Sequence, residues 1–390
     1  MSLRRKIERE IEQRGPIPFS RYMELCLYDP EFGYYSRPEE KFGKGGDFYT
    51  SSDVHAVFGR LLARQFEQMW RRLGSPARMD LLELGPGRGL FAQDVLAWSE
   101  KKFPEFFRAL RYVLWEQSPG LRSKLATIVS RYVQCGHALV VDPVGPLTHP
   151  CIERMGGAAS VFQDPGFVDL ASRAGIVFAN EFFDALPVEV LSAQGSLRVG
   201  VSGARFTEQW TAASPEELAF LDRCAVHPEK GERVEAALGG QRLMAEIAAS
   251  MGCGFFLAID YGYAREELFA GRHRGTVMTY QRHTAGSDPY QAPGEQDITA
   301  HVNFTALAAA AEARGMQVEK LRTQSQFLMG VGEANEFADA FEDCRLPQER
   351  AKVALQLKHL VTPMGMGETF QVMVASKGVE TRGLSGLRFG

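Results

Sequence analysis

The sequence predicts an α/β protein in which a mostly parallel sheet carries helices on both faces, with an N-terminal helical and loop extension and further insertions. Three observations predict it. From about residue 79, short apolar runs alternate with longer runs of helical spacing. "LLELGPGRGLFAQDVL", from Leu81, sets a glycine-rich turn between one such apolar run and one such helix. And a chain of 390 residues can bury a core large enough for a covered sheet plus appended pieces.

Residues 3–13 read as a short surface helix broken by "RGPIP", and the pattern is helical again from Ser20 to Leu27. "DPEFGYYSRPEEKFGKGGDFYTSS" reads as a long functional loop, because it carries too many aromatics for a disordered one. "DVHAVFGRLLARQFEQMWRRLG" has Val57, Leu61, Phe66 and Met69 at helical spacing and stops at Gly74 and Pro76. Residues 1–75 therefore read as an N-terminal helical and loop region. The main domain is expected over 76–190 and 232–390. In it "MDLLEL", "LRYVLWEQ" and "CGFFLAIDYG" read as strands, and "AASVFQD" and "GIVFANEFFDALP" as two further strand ends. "GLFAQDVLAWSEKKF", "GLRSKLATIVSRY" and "ERVEAALGGQRLMAEIAASM" read as helices. Short alternating runs such as "SLRVGV" and "ARFTEQW" mark 191–231 as a hairpin insertion, and the polar stretch 265–303 as a second long loop or subdomain.

Composition narrows the function. A formal charge of −4 gives no electrostatic case for nucleic acid or for an anionic membrane, and no apolar run reaches the ~18 residues of a spanning helix. Cys26, Cys135, Cys151, Cys224, Cys253 and Cys344 are widely spaced, without C-x-x-C pairs or metal-ligand spacing, which suits buried thiols in a reducing compartment. Glu8, Glu10 and Glu12 argue against a mitochondrial presequence, so a cytoplasmic location is expected, and a homo-oligomer stays open.

Gly85, Gly87 and Gly89 permit backbone angles closed to other residues and let a ligand approach the main chain at the start of a helix with unpaired N–H groups. The spacing G-x-G-x-G differs from the dinucleotide fingerprint G-x-G-x-x-G, whose third glycine is here Leu90. Glu116, at the end of the next strand, can accept hydrogen bonds from both hydroxyls of a ribose. Glu83, at the end of the first, would repel a pyrophosphate but attract an ammonium group. S-adenosyl-L-methionine has ribose, ammonium and sulfonium and no phosphate, so it fits better than NAD.

"IVFANEFFDALP" delivers Asn180, Glu181 and Asp184 to the same sheet edge, and "SVFQDP" brings Asp164 to where an adenine amino group would lie, although a turn or helix cap would explain Asp164 as well. Methyl transfer from an activated donor needs alignment above all. If the acceptor is a guanidinium, it keeps its proton in water, and a carboxylate such as Glu181 can grip two of its nitrogens and aim the third. Tyr49 or Phe182 would add a cation–π contact to a sulfonium. His283 and His301 are candidate general bases, with loop packing the plainer role; no cysteine has a catalytic setting.

"GPIPFSRYMELCLYDPEFGYY", "GGDFYTSSDVHAVFG", "LLELGPGRG", "NEFFDALPVEV", "AIDYG", "PGEQDITAHVNF" and "QSQFLMGVG" resemble, in order, the MidA family of S-adenosylmethionine-dependent methyltransferases, over about residues 15–374. The resemblance implies a Rossmann-like class I methyltransferase fold, and the family includes the mitochondrial complex I assembly enzyme, which methylates an arginine symmetrically. By motif match it implies that Gly85, Gly87, Glu116 and Asp164 contact cofactor and that Asn180 and Glu181 border donor and acceptor. Gly46, Asp47, Phe48, Thr50 and Ser51 match its "GDF-x-TS" block, which looks like a lid on the cofactor. The chain departs from the family at "TSSD", where "TSPE" is frequent, and at Asn303, where an acid is frequent.

The leading reading is a methyltransferase acting on a protein arginine, with Glu181, Asn180 and Asp184 as catalytic candidates. The cofactor candidates are Glu83, Gly85, Gly87, Gly89, Glu116, Asp164, Asn180, Gly46, Thr50 and Ser51, and no metal is expected. A small-molecule O- or N-methyltransferase and a non-catalytic, cofactor-binding assembly factor are the alternatives.

Overall fold

The computed structural model describes residues 2–37, 56–141, 174–268, 272–281, 284–363 and 365–389. Its central sheet contains β1 (Met79–Leu84), β2 (Leu110–Trp115), β3 (Ala138–Val141), β4 (Ala174–Asn180), β5 (Cys253–Tyr263) and β6 (Phe370–Lys377). They lie side by side in the order β3-β2-β1-β4-β5-β6. The first five are parallel, and β6 runs antiparallel to β5. The chain leaves β1 toward β2 on one side and later returns to its other side as β4. A crevice therefore opens beyond the carboxyl ends of β1 and β4, where open α/β sheets bind ligands.

Period-two alternation places the core on both faces of this sheet. Leu81, Ile176 and Phe178 pack with Phe58, Leu61 and Phe66 of helix Ala56–Arg72 and with Phe91 and Val95 of helix Leu90–Lys102. Their neighbours Leu82 and Val177 face the other way, toward Leu243, Met244 and Ile247 of helix Leu238–Ser250. Fully buried strands of this kind read as continuous apolar runs, which is why "MDLLEL" is legible as one.

The N-terminal helices Leu3–Arg14 and Phe19–Tyr28 do not stand apart. They pack on a second sheet whose strands include Glu189–Ser192, Gly195–Ser202 and Arg205–Thr211, and Ile7, Tyr22, Val190, Val199 and Ile298 share one apolar cluster. Three elements differ from the sequence expectation. Ala138–Val141 forms β3, whereas "AASVFQD" lies outside the described residues. The helix expected from Glu232 begins only at Leu238, because Val234–Ala236 pairs with Glu189–Leu191 and buries Glu235 against Thr276, whose N–H and hydroxyl donate to it at 2.8 and 3.0 Å. The polar stretch 265–303 carries a small sheet of Met278–Gln281, Thr284–Gly286 and Asp297–Thr299.

Candidate active site

The turn after β1 is made of left-handed glycines: φ is +62° at Gly85, +54° at Gly87 and +78° at Gly89. A Cβ on Gly85 would stand 2.8 Å from the Phe182 ring, and one on Gly89 2.4 Å from Leu125. Gly85 N–H donates to the Trp115 carbonyl at 3.0 Å and Gly89 N–H to the Pro86 carbonyl at 2.9 Å, which folds the loop back over the sheet edge. Helix Leu90–Lys102 starts from Gly89 with no side-chain cap, so its first N–H groups lack the usual capping oxygen.

Two buried acids flank the turn. Glu116 accepts the N–H of Gly87 at 3.3 Å and of Ser118 at 2.8 Å. Burial pushes it up to about 7 against the pull of those N–H groups. A carboxylate has about four lone-pair positions, so capacity for ribose hydroxyls remains. Glu83, 4% exposed, accepts the Tyr112 hydroxyl at 2.9 Å, and burial with the nearby Glu116 carboxylate pushes it up to about 8. A turn that a single Cβ would obstruct, between two carboxylates, suits a nucleoside without phosphate. A pyrophosphate would meet the two acids.

β4 delivers the second half of the crevice. Asn180 ends the strand and donates from Nδ2 to Glu181 at 3.2 Å, while its Oδ1 is buried without a partner among the described residues. Glu181 has φ +49°, a strained conformation for a residue with a Cβ, and its N–H donates to the Ile259 carbonyl of β5 at 3.0 Å. The next three N–H groups, of Phe182, Phe183 and Asp184, all donate to Oδ2 of Asp260, at 3.1, 2.9 and 3.3 Å. Asp260 thus fixes the loop, and burial pushes it up to about 7 despite these bonds. Asp184 is 6% exposed and its Oδ1 has no hydrogen-bond partner among the described residues. Burial, then the carboxylates of Asp260, Asp297 and Glu181, raise it well above the usual carboxylate range.

The structure therefore gathers Glu83, Gly85, Gly87, Gly89 and Glu116 on one side of the crevice and Asn180, Glu181 and Asp184 on the other. Gly46, Thr50, Ser51, Asp164, Tyr49 and His283 lie outside the described residues. His301 is a poor base: burial lowers it to about 4, and its ring stacks on Tyr261 with 6.4 Å between centroids. Asn303 caps helix Phe304–Glu312, its Oδ1 accepting from Ala306 N–H at 3.0 Å and its Nδ2 donating to the Cys224 carbonyl at 2.9 Å. A carboxylate could not make the second of these bonds. Sequence reasoning missed Asp260, Asp297, Tyr28 and Tyr35. Only the acid ending the apolar run "FFLAID" gave a local signal.

Sheet order, glycine turn and ribose-type acid together define an α/β nucleoside-binding protein of the S-adenosylmethionine-dependent class. The model of the family described as "Putative S-adenosyl-L-methionine-dependent methyltransferase" matches residues 61–322. The chain belongs to that family, whose methyl donor is S-adenosyl-L-methionine. It is 30% identical to the Drosophila melanogaster protein arginine methyltransferase NDUFAF7 homolog, mitochondrial, over 97% of this chain and 85% of that protein. It is 27% identical to the human protein arginine methyltransferase NDUFAF7, mitochondrial, over 93% and 80%. A COG1565 superfamily member from Burkholderia thailandensis, solved bound to S-adenosyl-homocysteine, superposes with a TM-score of 0.80 at 26% identity, covering 99% of this chain and 95% of that one.

These relatives correct the expected cytoplasmic location, since the curated proteins matched along most of the chain are mitochondrial. The expectation rested on Glu8, Glu10 and Glu12, but these lie on a helix that packs Leu3, Ile7 and Ile11 into the fold, so their charge reports on a folded element and not on targeting. Among the described residues no helix is long and apolar enough to cross a membrane.

Proposed function

We propose that this chain transfers a methyl group from S-adenosyl-L-methionine to a guanidinium nitrogen of an arginine in a protein. The observation that carries the reading is the second half of the crevice, where Glu181 and the buried, incompletely partnered Asp184 stand across from the glycine turn. The names of the Drosophila and human relatives, both arginine methyltransferases, support it. Glu83, Gly85, Gly87, Gly89 and Glu116 would hold the donor, and Asn180 would lie between donor and acceptor.

Bound S-adenosyl-L-methionine supplies an electrophilic methyl group on a sulfonium. The residues of the chain must make the other reactant competent. A free guanidinium is protonated and its lone pairs are delocalised. Glu181, accepting from two of its nitrogens, would hold the plane and localise electron density on the third. Burial and the neighbouring carboxylates disfavour the charged form of Asp184, and an arriving cation would favour it, because an opposite charge nearby stabilises the carboxylate. The N–C bond forms as the methyl group's S–C bond breaks, the sulfur keeps that electron pair and leaves as the thioether, and a carboxylate of this group can take the proton released from nitrogen. Alignment supplies most of the acceleration, and the strained Glu181 backbone fixes the angle of its side chain.

The test is transfer of a labelled methyl group into a lysate, followed by acid hydrolysis of the protein fraction. The expected result is label comigrating with methylarginine. Label only in small molecules, or in base-labile esters, would contradict the guanidinium reading.

A further inference from the structure

We infer that Tyr35 is a positioning residue that holds Asp297 as a second acceptor-side carboxylate and ties it to the cofactor side of the crevice. The inference rests on the guanidinium reading above and deepens it, since it names a further part of the acceptor's surroundings.

Tyr35 lies in the single turn Tyr34–Ser36, just after helix Phe19–Tyr28. Its main-chain carbonyl accepts the Ser118 hydroxyl at 2.8 Å, and Ser118 in turn donates its N–H to Glu116 at 2.8 Å. One end of the residue is therefore attached to the acid placed for a ribose. The other end, its phenol hydroxyl, lies 3.0 and 3.2 Å from the two oxygens of Asp297. Tyr28 stacks on the Tyr35 ring, with 5.5 Å between centroids and 23° between planes, and donates its own hydroxyl to the Ala185 carbonyl at 2.9 Å. The two tyrosines thus span from Ser118 to the residue that follows Asp184.

Asp297 is 2% exposed, and its carboxylate is close enough to Asp184 to hinder ionisation there. Asp184 meanwhile keeps one buried oxygen without a hydrogen-bond partner among the described residues. Buried acceptors are normally satisfied, so such an atom beside other carboxylates points to a missing cationic donor. A guanidinium fits this arrangement: five N–H donors in one plane can address more than one carboxylate, whereas an ammonium is a compact point charge. In this arrangement Tyr35 orients Asp297 through its hydroxyl, and the same turn reports on the Ser118–Glu116 end.

The experiment uses the full chain saturated with S-adenosyl-homocysteine and titrates ethylguanidinium calorimetrically, with ethylammonium as the comparison. Wild type should bind ethylguanidinium more tightly than ethylammonium. Tyr35→Phe should weaken ethylguanidinium by about fivefold and Asp297→Asn by about tenfold or more, as for hydrogen bonds to charged groups. In Tyr35→Phe the affinity for S-adenosyl-homocysteine should stay within about twofold, the split expected when one acceptor-side bond is lost. Tyr35→Phe removes one hydroxyl only, so it decides the matter even if Asp297→Asn fails to fold. Unchanged ethylguanidinium binding in Tyr35→Phe, or parallel loss of both ligands, overturns the inference and leaves the guanidinium reading standing. Absence of ethylguanidinium binding in wild type overturns both.

Discussion

The two sides of the crevice are built in opposite ways. The proposed donor side is a local device: Gly85, Gly87, Gly89 and Glu83 fall within seven consecutive residues, and Glu116 follows the adjoining strand. Its shape lies in left-handed φ angles and in a backbone packed too closely on Phe182 and Leu125 to admit a side chain. The proposed acceptor side is assembled from distant pieces. Tyr35 meets Asp297 across 262 positions of sequence, and Asp260 gathers the amides of Phe182 to Asp184 from a neighbouring strand. Its specificity lies in charge. A neutral nucleoside can be held largely by backbone shape with one or two acids, whereas a cationic acceptor calls for several converging carboxylates.

Substitutions should therefore separate the two sides, and the largest effect is expected at the glycine turn. In Gly85→Val a left-handed backbone costs ~1–2 kcal/mol, and the new Cβ also runs into Phe182. S-adenosyl-homocysteine affinity should fall by about 100-fold or more in calorimetry, since each ~1.4 kcal/mol is tenfold. Unchanged affinity in the folded variant would break the backbone account of the donor side.

Glu181→Gln should do the reverse. Loss of a charged hydrogen-bond acceptor is worth ~1.5–3 kcal/mol, so transfer to a guanidinium should drop about 10- to 100-fold in kcat/KM. Affinity for S-adenosyl-homocysteine should be retained. Full activity would move the acceptor elsewhere.

Glu116→Gln sharpens the boundary between the sides. A neutral amide still accepts from Ser118 but grips ribose hydroxyls less well, so affinity for S-adenosyl-homocysteine should fall about tenfold. Ethylguanidinium binding to protein saturated with S-adenosyl-homocysteine should be unaffected. An equal loss of both would mean that the two sides are one cooperative unit.

The last effect is on stability rather than on binding. Glu83 and Glu116 have folded values of about 8 and about 7 against an ordinary 4.5. Between those values the folded state binds more protons than the unfolded, so stability falls as pH rises from about 4.5 toward about 8. Glu83→Gln removes one contributor, so the loss in Tm from pH 5 to pH 8.5 should shrink. An undiminished loss would show that Glu83 ionises in the fold as it does in water.

The same contrast explains what could be read in advance. The parallel sheet was legible because buried strands such as Met79–Leu84 are continuous apolar runs between helix-patterned segments. The donor turn was legible because glycine spacing and a strand-end acid are local signals. Asn180, Glu181 and Asp184 were legible as a strand-end group, but not Glu181's left-handed backbone, which depends on β5. Asp297 and Tyr35 were not singled out, since nothing near either one in sequence says that the other will be its partner. β3 escaped because "ALVV" is short and its burial is incomplete.

The central claim is that one crevice holds a methyl donor on backbone and a guanidinium on carboxylates. A crystal structure with S-adenosyl-homocysteine and ethylguanidinium bound together tests it most directly. The account predicts the nucleoside along Gly85–Gly89 and Glu116, with the guanidinium within hydrogen-bond distance of Glu181 and facing the donor sulfur. A guanidinium bound away from Glu181 and Asp184, or a nucleoside bound outside the glycine turn, would contradict it.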